Sequence, residues 1–364
     1  MGKKLSVGLS SVTFKENTGI GVLEYGLRIL KALKKHGRSV DASKFSIVNE
    51  KLYFTLYRGK KMKGQRFNQA SNPDIVHYMA PGVTKFTSLS NPLRFNRLKF
   101  VVTVHDLDMF KEYSPVKVLK SYHRTLKFFI AIFSLVVGQI LMIIERDGVK
   151  LVLKKAKRII CVSDKTRDEL VKSFKIDPSR CVVIPPIIDG SFRHISVKKP
   201  KGKIVVGHIS SYLYNKNVKV LIDAFKKTKN PDLELRLYGG VFPYKISDDS
   251  RIKYYGPVAT KDLPKIYNSF DVFVFPSIWE GFGMPIMEAK RCRVPVVTYA
   301  KGEMADIVKR NTLQFRDKRD LTDILEKKRW KSVNLGSAYA DTKACDEKAV
   351  TRQLEKVYIE AAAA

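Results

Sequence analysis

The sequence predicts an α/β protein made of two doubly wound, parallel-sheet domains, and three observations lead there. The chain has 364 residues, more than one α/β core of ordinary size organises, so two domains of roughly 180 residues are the natural division. Short apolar, β-branched runs alternate with amphipathic segments through most of the length, which is the rhythm of parallel strands joined by helical crossovers. That rhythm stops at Pro185-Pro186 and the basic stretch VKKPKGK, then restarts at KIVVGHIS (203–210).

Taken in order, LSVGLS near residue 5 reads as the first strand. A helix follows from about Gly21 to Lys35, with Leu23, Leu27, Leu30 and Leu33 spaced along one face. DIVHY (74–78), FVVTV (100–104) and RIICVS (158–163) read as further buried strands, and SDKTRDEL as a helix start that Ser163 or Asp164 can cap. After the break come a helix over 217–228, strand LELRLYG, a helix over 262–269, strand DVFVFP, a helix over 284–292 and strand VPVVTY. The expected division is a first domain at 1–185, a second at 186–345, and a terminal helix within 346–364 that packs back on the first.

The net charge of +33 calls for an anionic partner: lipid headgroups, phosphorylated substrates or nucleic acid, among which charge alone does not choose. The basic residues are mostly lysines spread along the chain, with no recognition module and no aromatic-basic platform, so no specific nucleic-acid partner is expected. One segment, 128–144 (FFIAIFSLVVGQILMII), carries no charge and is bracketed by Lys117, Lys120, Arg124 and Lys127 on one side and Lys150, Lys154, Lys155, Lys157 and Arg158 on the other. As a helix it would be roughly 25 Å long, short for a span. It suits either contact with an anionic membrane surface or burial, within the first domain or at a subunit contact.

Cys161, Cys181, Cys292 and Cys345 make no CxxC spacing, and the histidines make no HExxH pattern. Buried reduced thiols and the absence of a metal site are the expectation. The N-terminal apolar stretch is short for a signal peptide. The expected location is cytoplasmic, peripheral on the cytoplasmic face of a membrane.

The chemistry concentrates where strand DVFVFPS gives way to a helix across IWEGFGMPIMEAKRC. This junction lies at the carboxyl edge of a parallel sheet, where open α/β sheets bind ligands. Gly281 and Gly283 let backbone amides approach closely, and the positive end of the new helix points the same way, so a sugar diphosphate fits there. Glu288 falls about one turn inside the helix, and its spacing of eight from Glu280 lets one carboxylate meet sugar hydroxyls and the other a ribose diol.

The run EGFGMPIME followed by AKRCRVPVV resembles the signature of retaining GT-B glycosyltransferases of family 4. The resemblance implies two Rossmann-like domains facing across a cleft, the first on the acceptor side and the second binding a nucleotide-sugar donor. Glu280 and Glu288 would bracket the donor, with Gly281, Phe282, Gly283 and Met284 between them. TGIGVLEYGLRIL is similar to the family's first glycine loop and places Gly19 and Gly21 toward the donor phosphates. VVTVHDL puts His105 where the family has a histidine that reaches the donor sugar, and Asp106 and Asp108 belong to the same loop.

Lys216, in SSYLYNKNVKVLIDAF, matches the family lysine on the diphosphate. The usual preceding arginine is absent, and the region offers His208, Ser211 and Asn215 instead. KYYGPV resembles the nucleobase loop, with Pro257 and Val258 as contacts. Glu280, His105 and Lys216 are therefore the expected catalytic residues. The resemblance also implies retention of anomeric configuration, no metal and no other cofactor. A lipid-linked or glycan acceptor would account for the apolar segment and the charge together. The missing arginine leaves open a scaffold that binds a sugar nucleotide without turning it over.

Overall fold

A computed structural model describes residues 5–10, 20–40, 46–48, 73–79, 99–107, 146–240 and 248–364. Gly19, Asp108 and the apolar segment 128–144 lie outside the described residues. The chain divides into two compact units: Met1–Ile187 with Lys348–Ala364, and Ile188–Glu347.

In the first unit β1 (Val7–Ser10), β2 (Ser46–Val48), β3 (Ile75–Tyr78), β4 (Phe100–Val104), β5 (Arg158–Cys161) and β6 (Cys181–Val183) form one sheet in the order β2-β1-β3-β4-β5-β6. All its pairings are parallel. Every residue of β3 and β4 is buried, as expected of strands covered on both faces. On one side Leu9, Ile29, Leu33 and Val101 pack with Val350, Leu354 and Tyr358. On the other, Phe100 and Val102 pack with Val152, Leu153, Leu170 and Phe174.

Helix Ile20–His36 corrects the expected leucine stripe. Among its described side chains Tyr25, Ile29, Ala32 and Leu33 are buried beside Gly26, whereas Leu27 is 43% exposed. A tyrosine can lead the inward face because its hydroxyl lies 3.2 Å from Thr103 Oγ1 of β4, so no polar group is left unsatisfied. At helix Asp164–Phe174 the cap is Ser163, whose side chain accepts from the Thr166 amide. Cys181 departs from the expectation of buried thiols: it is half-exposed, while Cys161, Cys292 and Cys345 are buried.

The terminal helix Glu347–Ala363 is fastened to the first unit by more than its apolar side. Glu355 is nearly buried, and its Oε1 accepts from the amides of Arg38 and Ser39 at 2.6 Å each and from Val40 at 3.3 Å. Three converging donors make a buried carboxylate tolerable at that position.

In the second unit β7 (Ile204–Ser210), β8 (Leu233–Gly239), β9 (Ile252–Tyr254), β10 (Val272–Phe275), β11 (Val296–Tyr299) and β12 (Leu313–Phe315) run in the order β12-β11-β10-β7-β8-β9. All its pairings are parallel as well. The chain builds outward from β7 to β9, then returns to lay β10 against the other side of β7. Connections leave opposite faces at that reversal, so the crevice between the carboxyl ends of β7 and β10 is the natural ligand position. Beneath it, helices Val218–Phe225 and Lys318–Glu326 bury Leu221, Phe225, Leu321 and Ile324 against Leu235, Val274 and Val297.

Candidate active site

The second unit concentrates charge at the β7–β10 reversal. Past β10 the chain is pinned by main-chain bonds: Ile278 N donates to Asn215 O at 2.7 Å, Glu280 N to Glu303 O at 2.8 Å, and Glu303 N to Ile278 O at 2.8 Å. Past β7 it makes a single 3-10 turn, Tyr214–Lys216, which Asn217 closes in the left-handed region at φ 51°. Asparagine tolerates that conformation better than most residues, and its Nδ2 also donates to Pro276 O at 3.3 Å.

These two exits bring Lys216 and Glu280 together. Lys216 Nζ lies 2.8 Å from Glu280 Oε1 and 3.0 Å from Oε2, and the side chains are 17% and 12% exposed. A pair this shielded from water holds both partners in place, at the cost of their desolvation. An arriving anion can therefore compete for a lysine that is already oriented.

Helix Met284–Arg291 begins immediately afterwards, with Gly283 at its start at φ 111° and no side chain capping it. A Cβ at Gly283 would sit 2.9 Å from Val308 Cγ1, so both conformation and space require glycine. The uncapped first turn directs amide groups and the positive end of the helix toward the same edge. Phe282 is buried, and Gly281 and Met284 are half-buried. Glu288 is a different case: it is 5% exposed, and its Oε2 accepts from Tyr267 Oη at 3.1 Å. It lies inside the unit rather than on the open edge.

Pro257 is exposed and Val258 half-buried just past β9, at the same carboxyl edge. The exits of β7 and β8 meet closely there, because a Cβ at Gly239, at φ 120°, would come within 1.9 Å of Ser210 O. Gly239 N in turn donates to Gly256 O at 2.9 Å, which fixes the start of the Pro257-Val258 loop.

In the first unit His105 follows β4, half-buried. Its Nε2 donates to Met79 O at 2.8 Å, and its ring meets Tyr25 edge to face at 4.6 Å and 86°. Burial lowers its pKa, outweighing the Met79 bond that acts in the opposite direction. The neutral ring, with its proton committed at Nε2, has Nδ1 as its acceptor. Gly21 is the second residue of helix Ile20–His36.

Behind His105 runs a buried polar chain that the sequence did not disclose. Tyr25 Oη contacts Thr103 Oγ1 at 3.2 Å, Thr103 Oγ1 contacts His77 Nε2 at 2.7 Å, and His77 Nδ1 contacts Tyr358 Oη at 2.7 Å. Burial pushes the His77 pKa down to about 3, so this histidine is neutral too. The only sequence signal was a polar pair, His77 and Thr103, within otherwise apolar strands.

Residues 35–192 match the model of Glycosyltransferase Family 4, and residues 191–326 match that of Glycosyl transferases group 1. The chain belongs to the family 4 type of GT-B glycosyltransferases.

Among curated relatives it is similar to O-antigen chain mannosyltransferase B of Escherichia coli, 29% identical over 43% of this chain and 46% of that protein. It also resembles O-antigen chain mannosyltransferase RfbU of Salmonella typhimurium strain LT2, 23% identical over 77% of this chain and 78% of that protein. The first match thus spans less than half of its relative, the second most of it. Among solved structures, Anabaena Alr3699/HepE in complex with UDP-glucose shares the fold, with a TM-score of 0.59, 18% identity and 78% of each chain covered.

For a family 4 glycosyltransferase, the missing arginine is the main departure, and the local structure narrows what can replace it. His208 is fully buried within β7, with Nδ1 donating to Val274 O and Nε2 beside Ser210 Oγ, both at 2.8 Å. Burial pushes its pKa down to about 4, so it brings no positive charge. Asn215 is 6% exposed and donates through Nδ2 to Trp279 O. Ser211 alone of the three is exposed, and it is neutral. Of the residues singled out in this stretch, Lys216 alone is a cation.

Proposed function

We propose that this glycosyltransferase moves a hexose from a nucleoside-diphosphate sugar to an acceptor with retention of the anomeric configuration. The observation that carries the reading is the Lys216–Glu280 pair, 2.8 and 3.0 Å apart, at the strand-order reversal and beside an uncapped helix start. Lys216 and the first amides of helix Met284–Arg291 would bind the diphosphate and neutralise the charge that builds as it leaves. Glu280 would accept hydrogen bonds from sugar hydroxyls and favour positive charge at the anomeric carbon. His105, with Nδ1 left as acceptor, keeps the role toward a donor sugar that the family resemblance implies.

In the proposed reaction the bond from the anomeric carbon to the diphosphate oxygen breaks. The acceptor oxygen bonds to the same face of the sugar, and the departing phosphate takes the acceptor's proton. No step requires a metal ion, so a chelator should leave the rate unchanged; its loss with EDTA and recovery with added Mg²⁺ would contradict this. The net charge of +33 and the uncharged segment 128–144 with its basic flanks support a lipid-linked acceptor and work at an anionic membrane surface, on the cytoplasmic side. Flotation with liposomes checks that part: recovery with anionic vesicles supports it, and a protein that stays at the bottom with anionic and neutral vesicles alike removes it.

The decisive experiment is a thermal-shift screen of nucleoside diphosphates and their sugars, repeated with Glu280→Ala. Stabilisation by at least one donor, reduced in the variant, is the expected result; stabilisation by none would sink the reading. A neutral Ser211 with no charged histidine beside it favours one second reading, a protein that binds the sugar nucleotide without turnover. Donor binding with no release of nucleoside diphosphate in the presence of membranes would select it.

A further inference from the structure

The diphosphate site proposed above has a charge problem that the ion pair creates. Lys216 is already neutralised by Glu280. An anion that takes Lys216 over leaves a carboxylate that is 12% exposed beside fresh negative charge, and a shielded charge without its partner is costly. A second cation at this edge would relieve that cost, and the exit of β11 provides one.

The segment from Tyr299 to Glu303 is held firmly. Ala300 N donates to Phe315 O at 2.8 Å, Gly302 N to Tyr299 O at 2.9 Å, and Glu303 is paired with Ile278 and Glu280 through the main chain. Lys309 Nζ donates to Ala300 O and, at 3.1 Å, to Gly302 O, so that lysine is spent on fastening the loop. Gly302 packs so closely on β10's exit that a Cβ there would lie 2.6 Å from Ser277 O.

Between those fixed carbonyls stands Lys301, whose side chain is exposed and, among the described residues, makes no ion pair or hydrogen bond. Other surface lysines share that exposure; what sets Lys301 apart is a main chain locked against the segment that carries Glu280. Gly302 packs on Ser277 from the β11 side while Asn215 O accepts from Ile278 N on the β7 side, so Lys301 and Lys216 flank β10's exit from its two sides. Ammonium groups on flexible four-carbon stems can converge from there onto one diphosphate.

We propose that Lys301 is the second cation of the diphosphate site, approaching from the β11 side while Lys216 holds from the β7 side. This rests on the sugar-nucleotide reading above. It gives the chain a positive charge in place of the missing arginine, from a different strand. Lys301 acts as a point charge, so its contribution is to affinity for the diphosphate rather than to recognition of base or sugar.

The test is calorimetric titration of UDP, GDP and ADP into the wild type, Lys301→Ala, Lys301→Glu and Lys203→Ala. Lys203, at the opposite edge of the same sheet with Nζ on Pro231 O, is the control for general surface charge. For whichever diphosphate binds, affinity should fall about fivefold in Lys301→Ala, as expected for one exposed charge. The loss should be larger in Lys301→Glu and absent in Lys203→Ala. Wild-type affinity in Lys301→Ala, or an equal loss in Lys203→Ala, overturns the proposal.

When the wild type binds none of the three, the sugar-nucleotide reading fails, and inorganic pyrophosphate then decides Lys301 by itself. A thermal shift by pyrophosphate that Lys301→Ala abolishes and Lys203→Ala keeps supports the anion site. An equal shift in both variants, or none in the wild type, overturns it.

Discussion

At the carboxyl edge of the first sheet His105 is held neutral, with its proton directed to Met79 O at 2.8 Å. At the corresponding edge of the second sheet Lys216 and Glu280 face each other 2.8 Å apart as an ion pair. The two edges share an architecture, parallel strands feeding helices, yet they use burial in opposite ways. In the first, desolvation removes charge from an imidazole and leaves a hydrogen-bond acceptor. In the second, two groups of opposite charge are paired where water is largely excluded. A parallel sheet therefore determines where a ligand can sit, while the side chains within reach of each edge determine what the edge does chemically.

The largest effect should come from breaking the charged edge. Glu280→Gln keeps the shape and removes the carboxylate, so release of nucleoside diphosphate from a competent donor should fall by about 10²–10³. Wild-type turnover in that variant would move the chemistry to other residues and dissolve the contrast between the edges.

Next in size is acid sensitivity, because each unit keeps a fully buried histidine neutral: His77, lowered to about 3, and His208, lowered to about 4. Both folded-state values lie below the unfolded value near 6.5. The unfolded chain therefore binds more protons between the two, and stability is full above about pH 6.5. It falls as pH drops toward each folded value, by an amount on the order of a few kcal/mol per histidine. Denaturant midpoints from pH 7.5 to 4.5 should decline in the wild type and less steeply in His77→Gln. A flat wild-type profile would mean that the two rings are not held neutral by folding.

A smaller loss is expected at the start of the charged edge. Gly283→Ala imposes a side chain at φ 111° against Val308 and should cost about 1–3 kcal/mol, read from the shift in urea midpoint. No shift would mean that the glycine serves ligand approach alone. The mildest change is Tyr25→Phe, which keeps the ring against His105 but removes a hydroxyl from the buried chain, at a cost of about 1 kcal/mol. Nitrogen NMR of His105 should show the Nε2-protonated form in both proteins. A change of tautomer in the variant would make Tyr25 a determinant of the neutral edge rather than packing behind it.

Legibility differed from element to element for physical reasons. The strands FVVTV and DVFVFPS could be read directly, because a strand buried on both faces must be continuously apolar. The EGFGMPIME junction was equally plain, since a glycine at positive φ followed by a helix start is a local event encoded by adjacent residues. The buried side of helix Ile20–His36 differs from the leucine stripe through Leu27: Tyr25 turns inward, where its hydroxyl finds a hydrogen-bond partner in Thr103, far along the chain. That His208, which the region offers where the family has an arginine, has both ring nitrogens occupied inside β7 is a tertiary fact with no local sequence signal.

What the sequence determined by itself was the alternation of strands and helices, the position of the donor signature and the chemical types at hand, because these depend on periodicity and on neighbours in the chain. The tertiary structure decided which groups meet and in what charge state. Lys216 and Glu280 are 64 residues apart and meet because β10 returns to the side of β7. Burial by segments remote in sequence, down to Tyr358 on the terminal helix, is what keeps His77 neutral. Proximity and desolvation are properties of the folded chain, and they turn a list of reactive residues into one edge that carries charge and another that does not.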